Sequence, residues 1–255
     1  MSRKVAVLVL AAASVAVLAG CDGAVGAKMT FDDTEKTKVT DIVLDGGGGD
    51  VIVTTGNVTE TRIKRVIRGG NGSGPTYKLT GTTLTLPTDC GFNCHIAYEV
   101  QAPTGVKVTG DLRSGGVALT DVGAVDITIT SGDVTVDGAA TPVKIKATSG
   151  NVTVSGVPGA TLEATSGDLQ AHDVSGPVDA RVTSGNLDLE LSKPASVTAS
   201  VTSGDLNLLV PEGSYQLKEH SGNGDSTIDG IKNDPAATNV LDLRARSGDL
   251  TVGTL

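Results

Sequence analysis

A chain of 255 residues with 20 basic and 29 acidic side chains carries a net charge of −9, which opposes binding to nucleic acid or to anionic surfaces as a whole. No Trp, two Phe and three Tyr against 34 Gly exclude a core built on large rings. The 38% of hydrophobic residues recur with period two, so the composition describes a thin β-structure rather than a disordered chain.

The N-terminus opens with Arg3 and Lys4, followed by an apolar run from Val5 to Val17 made of Val, Ala, Leu and one Ser. The run is too short for a membrane-spanning helix and fits the apolar region of a signal peptide. It ends in Leu18-Ala19-Gly20-Cys21, which resembles the bacterial lipobox almost letter for letter. That resemblance implies removal of residues 1–20, lipidation of Cys21 and anchoring to a membrane through N-terminal acyl chains. Two or three chains at about 0.8 kcal/mol per buried CH₂ hold a protein stably, where one does not. Cleavage also removes two of the 20 basic residues, leaving 18 against 29 acidic ones and a mature charge of −11. Residues 21–30, small and polar, read as a tether.

Residues 31–110 are less regular and read as an N-terminal β cap with the first coils. Asp41-Ile42-Val43-Leu44 followed by Gly46–Gly49 and Asp50-Val51-Ile52-Val53 has the pattern of one degenerate coil. No Lys-Ser/Thr follows these glycines, so they are not a phosphate loop. Arg62 to Arg68 is a basic strand, Gly69 to Pro75 a loop, and Thr82–Leu86 and His95–Val100 are strands. Four of the five aromatics (Phe31, Tyr77, Phe92, Tyr98) fall here and are expected to seal an open end. Cys90 and Cys94, separated by Gly-Phe-Asn, are expected to form a small-loop disulfide in an oxidising compartment, because a metal site would need more ligands than His95 adds.

Residues 111–255 carry the main signal, the triplet Ser-Gly-Asp/Asn. Its second and third members are Gly132-Asp133, Gly150-Asn151, Gly167-Asp168, Gly185-Asn186, Gly204-Asp205, Gly222-Asn223 and Gly248-Asp249, with a variant at Ser114-Gly115-Gly116. From Ser114 to Ser221 the steps are 17, 18, 17, 18, 19 and 18 residues, and the last is 26 with Asn233-Asp234-Pro235 inside it as a loop insertion. A constant period marks stacked units. Each unit has a short alternating strand, a Gly/Pro break and a second alternating strand such as Val178-Asp179-Ala180-Arg181-Val182-Thr183, with Val182 predicted inside and Thr183 outside. The third triplet position alternates Asp and Asn, which suggests a ladder in which each Asn donates its amide to a neighbouring carboxylate. Regular in-phase repeats favour an all-β solenoid of 17–18-residue, two-strand coils over a meander of hairpins, since Val, Ala and Leu fill the roughly 10 Å between facing sheets.

Tyr98-Glu99-Val100-Gln101-Ala102-Pro103-Thr104-Gly105-Val106, followed by Thr-Ser-Gly-Asp-Val-Thr-Val-like units, resembles the bacterial putative-adhesin β-strand-repeat family over about residues 40–255. The resemblance implies a β-solenoid-like fold at the cell surface and no catalytic residues.

The alternatives rest on chemistry. A polysaccharide-acting enzyme on a β-helix wants convergent carboxylates and aromatic platforms, whereas the carboxylates here follow the turns and His95, His172 and His220 lack ligand spacing. Calcium-binding nonapeptide coils want a second Gly-x-Asp per half-coil, which is missing. Thr130, Thr148, Thr165, Thr183 and Thr202 form a rank, yet the row beside it is Lys146, Glu163, Arg181 and Ser200, and β-propensity accounts for the threonines. The sequence therefore points to a non-enzymatic, lipid-anchored, extracytoplasmic surface protein with an envelope or surface ligand and no cofactor, metal or nucleic acid.

Overall fold

A computed structural model describes residues 28–69 and 77–255; the leader, Cys21 and residues 70–76 lie outside the described residues. The first strands are β1 (Lys28–Glu35), β2 (Asp41–Asp45), β3 (Asp50–Gly56), β4 (Thr61–Gly69), β5 (Lys78–Thr80), β6 (Thr83–Pro87) and β7 (Cys94–Pro103). β1 begins inside the stretch read as tether, because Lys28 to Thr30 pair with β4. Next come β8 (Lys107–Leu112), β9 (Val117–Val122), β10 (Val125–Ser131), β11 (Val134–Ala139), β12 (Val143–Ser149), β13 (Val152–Val157), β14 (Ala160–Ser166) and β15 (Leu169–Val174). The chain finishes with β16 (Val178–Ser184), β17 (Leu187–Leu191), β18 (Val197–Ser203), β19 (Leu206–Val210), β20 (Tyr215–Asn223), β21 (Ser226–Ile228), β22 (Asn239–Ser247) and β23 (Leu250–Thr254). Among the described residues no helix is long and apolar enough to cross a membrane.

Two sheets of 12 and 11 strands hold the chain as a β-solenoid. One strand of every coil enters each sheet, and equivalent strands of neighbouring coils pair in parallel, which rules out the hairpin meander. The coils β8–β9 to β18–β19 stack in chain order. Period-two alternation puts Val143, Ala160, Val178, Val197 and Leu241 in one inner row, each fully or nearly fully buried. Val182 sits between Ala164 and Val201 in another inner row, while Thr183 faces solvent. The core is one continuous strip of small and medium aliphatics, which is why large rings are scarce.

Both ends depart from chain order. At the far end the coil β22–β23 inserts between β18–β19 and β20–β21, so the last strand is hydrogen-bonded on both sides. At the near end β2–β3 lies against β8–β9, β6–β7 lies outside it, and β4 and β1 add to the larger sheet antiparallel. Such insertion keeps the C-terminal strand from fraying. The outermost coil sets Glu219, Ser221 and Ser226 beside Leu243, Ala245 and Leu250, while Leu217 and Ile228 continue the apolar rows beside Leu241 and Val252.

This insertion corrects the turn assigned to Gly222 and Asn223. Asn223 pairs with Ser247, so Gly222 and Asn223 belong to β20 and the turn is Gly224-Asp225. Gly224 has φ +148 and stacks on Gly248, as every other repeat glycine stacks on its neighbour. The spatial order of the third position is thus Asp133, Asn151, Asp168, Asn186, Asp205, Asp249, Asp225, and the strict alternation ends in three adjacent carboxylates. The direction of the ladder also differs from expectation: each side-chain Oδ1 accepts the backbone N–H of the next coil. The distances are 2.8 Å from Asn151 N to Asp133, 3.1 Å from Asp168 N to Asn151, 2.7 Å from Asn186 N to Asp168 and 3.1 Å from Asp205 N to Asn186. Asp249 N to Asp205 and Asp225 N to Asp249 continue it at 2.8 and 2.9 Å. Asp and Asn serve alike because each offers one acceptor oxygen.

The ladder makes a separable prediction. Asn186→Ala deletes an acceptor and should cost about 1 kcal/mol regardless of salt. Asn186→Asp keeps the acceptor but adds a carboxylate about 4.8 Å from its neighbours, so its cost of about 1 kcal/mol should shrink with added salt. Urea denaturation at low and high salt separates the two; a neutral Asn186→Ala would show that the ladder contributes nothing.

Candidate binding face

The larger sheet presents a groove of about 540 Å³ on its outer surface at the N-terminal end. Period two builds it. Because Phe31, Ile63, Val100 and Val53 turn inward, the alternate residues of β1, β4, β7 and β3 turn out. Register then aligns them in two rows, Asp32–Lys64–Glu99–Ile52 and Thr34–Arg62–Gln101–Thr54. Lys64 Nζ donates to both Glu99 oxygens at 3.0 and 3.1 Å. Ile52 is 46% exposed. Its row continues into Ala118, Thr135 and Thr153, small residues over which the isoleucine stands proud. An exposed aliphatic next to mixed charges on four paired strands has the composition of a partner surface.

The basic strand read from sequence splits by the same rule. Arg62 and Lys64 enter the groove, but Arg65 turns inward, 5% exposed, with its guanidinium carbon 4.4 Å from the Phe31 ring centre. Tyr98 lies next to it on β7, fully buried, and burial raises its phenol to about 12, with Arg65 pulling the other way. Tyr77 donates to Glu35 at 2.7 Å; burial first, then this bond, pushes its pKa well above the ordinary tyrosine value. Phe31, Tyr77 and Tyr98 thus close the near end of the core as expected. Phe92 does not: it is 92% exposed.

Phe92 sits at the tip of the loop closed by the Cys90–Cys94 disulfide, whose Cα atoms are 5.6 Å apart. Asp89 Oδ1 accepts Gly91 N–H at 2.8 Å, and Gly91 and Asn93 take positive φ of 94° and 54°, so the loop is tightly tied. His95, the next residue, contacts Asp50 at 3.0 Å. Asp50 Oδ1 in turn accepts Gly116 N–H, a rung of the same kind, separated from the ladder by Gly116, which has no side chain to accept the next N–H.

The three histidines stay apart. His95 pairs with Asp50, His172 lies 3.8 Å from Glu190 on the outer face of the larger sheet, and His220 lies opposite Arg244 in the smaller one. Among the described residues, no three or more His, Cys, Asp or Glu side chains are grouped to hold a metal ion. The turn residues run along one corner of the solenoid, where each glycine stacks on that of the neighbouring coil. On the smaller sheet the outer charges largely satisfy each other: Lys146 with Glu163 at 3.1 Å, Arg181 with Asp179 at 3.0 Å, Arg244 with Asp242 at 3.1 Å. The groove was missed by sequence reasoning because its four strands are brought side by side by non-sequential pairing.

Comparison with known proteins agrees with the fold. No curated protein matches the chain. A solved structure from Parabacteroides distasonis, described as a "putative adhesin", aligns with a TM-score of 0.51 at 13% identity, covering 90% of this chain and 98% of that one. Another "putative adhesin", from Bacteroides fragilis, aligns at 0.47 and 16% identity with the same coverage, 90% and 98%. The family described as Toastrack DUF4097 matches residues 24–253. The chain belongs to the Toastrack DUF4097 family.

Proposed function

We propose that this protein is a lipid-anchored, extracytoplasmic binding module without catalytic activity, and that it presents the β1–β4–β7–β3 groove to an envelope or surface ligand. The observation that carries the binding reading is the groove itself, in which Ile52 stands exposed beside the Lys64–Glu99 ion pair. The Leu18-Ala19-Gly20-Cys21 sequence supports the anchor, and the Cys90–Cys94 disulfide supports an oxidising compartment. The likeness to proteins described as adhesins is consistent with a surface role.

The experiment is crosslinking in intact envelopes, with Ile52→Glu/Arg62→Glu compared against the parent chain. The double variant reverses one charge and removes the exposed aliphatic, so it should lose a specific crosslinked partner while keeping the parent's melting temperature. An unchanged crosslinking pattern from a folded double variant would place the ligand elsewhere and overturn the assignment of this face.

A further inference from the structure

We propose that the disulfide-tied loop carrying Phe92 contacts the lipid bilayer, and that with Lys28 and Arg68 it seats the N-terminal end of the solenoid on the membrane surface. The inference rests on the reading of Cys21 as acylated and adds an orientation to it.

Phe92 is the exception among five aromatic residues: Tyr98 and Tyr215 are buried, Phe31 and Tyr77 are half-buried, and Phe92 is 92% exposed. Its ring contributes nothing to the core. A ring on a loop already fixed by a disulfide loses little freedom on insertion, so most of its burial energy is available for contact. The larger sheet puts this loop where the chain arrives from its anchor. Lys28 pairs with Arg68, Arg68 with His95, and Gly69 with Cys94. Two strand spacings therefore separate the start of β1 from the base of the loop, about 10 Å.

Six residues, and so seven Cα–Cα steps, separate Cys21 from Lys28. Even fully extended they reach only about 25 Å, so acyl chains on Cys21 would keep this end near the headgroups. Charge selects the same end. Lys28 and Arg68 flank the loop, and Arg113 lines the depression beside the disulfide. The acids around the loop base are Asp89, which accepts Gly91 N–H, Asp50, in contact with His95, and Asp45, which pairs with Pro87, while Asp32 and Asp33 lie further along β1, beyond Thr30. Cations next to an exposed ring suit an anionic interface, with aromatic residues at headgroup depth. The corner column of Asp133, Asp168, Asp205, Asp249 and Asp225 runs the other way along the stack and would be repelled by the same surface. The solenoid therefore stands on its N-terminal end and does not lie flat.

The chain has no Trp, so a single introduced indole reports alone. Lipidated Phe92→Trp, reconstituted in vesicles of phosphatidylcholine and phosphatidylglycerol, should emit to the blue of the unacylated Cys21→Ser/Phe92→Trp protein in buffer without lipid. Its emission should be quenched by lipids brominated near the headgroup. Leu209→Trp, 41% exposed near the far end, should be neither shifted nor quenched. Because Trp itself favours interfaces, Thr30→Trp on β1 is also read with Phe92 present and with Phe92→Ser; quenching should fall when the ring is removed. Vesicle-bound Phe92→Trp protein whose indole remains water-exposed and unquenched overturns the membrane contact while leaving the anchor intact. A blue shift without vesicles would mean self-association and overturn it too. Cell-derived protein without acyl chains would sink both the anchor and this proposal.

Discussion

Val182→Asp is expected to unfold several coils at once, and Thr183→Asp, one residue on, to be nearly silent. Val182 is 3% exposed between Ala164 and Val201, within the strip of buried aliphatics. A buried, unpaired charge costs several kcal/mol, a large part of the roughly 5–15 kcal/mol that typically holds a domain together. In a stack, each coil is stabilised by its neighbours, so the loss spreads along the array. Thr183 points to solvent, and surface substitutions of this kind usually stay within about 0.5 kcal/mol. Urea denaturation followed by circular dichroism measures both. Equal destabilisation would contradict the register.

Gly167→Ala should be nearly as damaging for a different reason. Gly167 has φ +119, and a Cβ there would lie 2.1 Å from the carbonyl oxygen of Gly150 in the preceding coil. The left-handed backbone alone costs an L-residue about 1–2 kcal/mol. The clash is with main chain, so it is relieved only by prising two coils apart at the corner where they are hydrogen-bonded. A total loss of at least about 2 kcal/mol is expected. Gly56→Ala is the control: it has open space around it and no left-handed φ, and should be neutral within about 1 kcal/mol. Thermal melts that treat the two alike would show that the glycine column is not what sets the coil spacing.

The stacked middle was legible because its information is local. The 17- to 19-residue spacing of Ser-Gly triplets, the alternation around Val182 and the break after each first strand all lie within one coil. The ends were not legible, because their coil order depends on which distant strand pairs with which. The stretch Ser221-Gly222-Asn223-Gly224-Asp225 holds two candidate turns, and only the pairing of Asn223 with Ser247 selects the second. The antiparallel β4 was recognisable as a strand, but its position between β1 and β7, which creates the groove, was not. At the second corner the break was read from Gly and Pro, yet Asp121 and Asp173 take the positive φ that Gly138 and Gly156 take in neighbouring coils. Asp tolerates that region, so composition alone underestimates it. Phe92 was misplaced because a ring was assumed to seek the core, whereas a four-residue separation between bridged cysteines forces the loop tip outward.

The anchor at Cys21 is the point on which the functional account turns, and the chain permits a direct reading of it. Trypsin cuts after Lys28, releasing Cys21–Lys28 as one peptide when the leader has been removed. Mass spectrometry of that peptide from envelope-purified protein is the decisive measurement. The expected result is a peptide that begins at Cys21 and carries the mass of two or three acyl chains, together with release of the Cys21→Ser protein from membranes. An unmodified Cys21, or a peptide that continues upstream through Gly20, would contradict it.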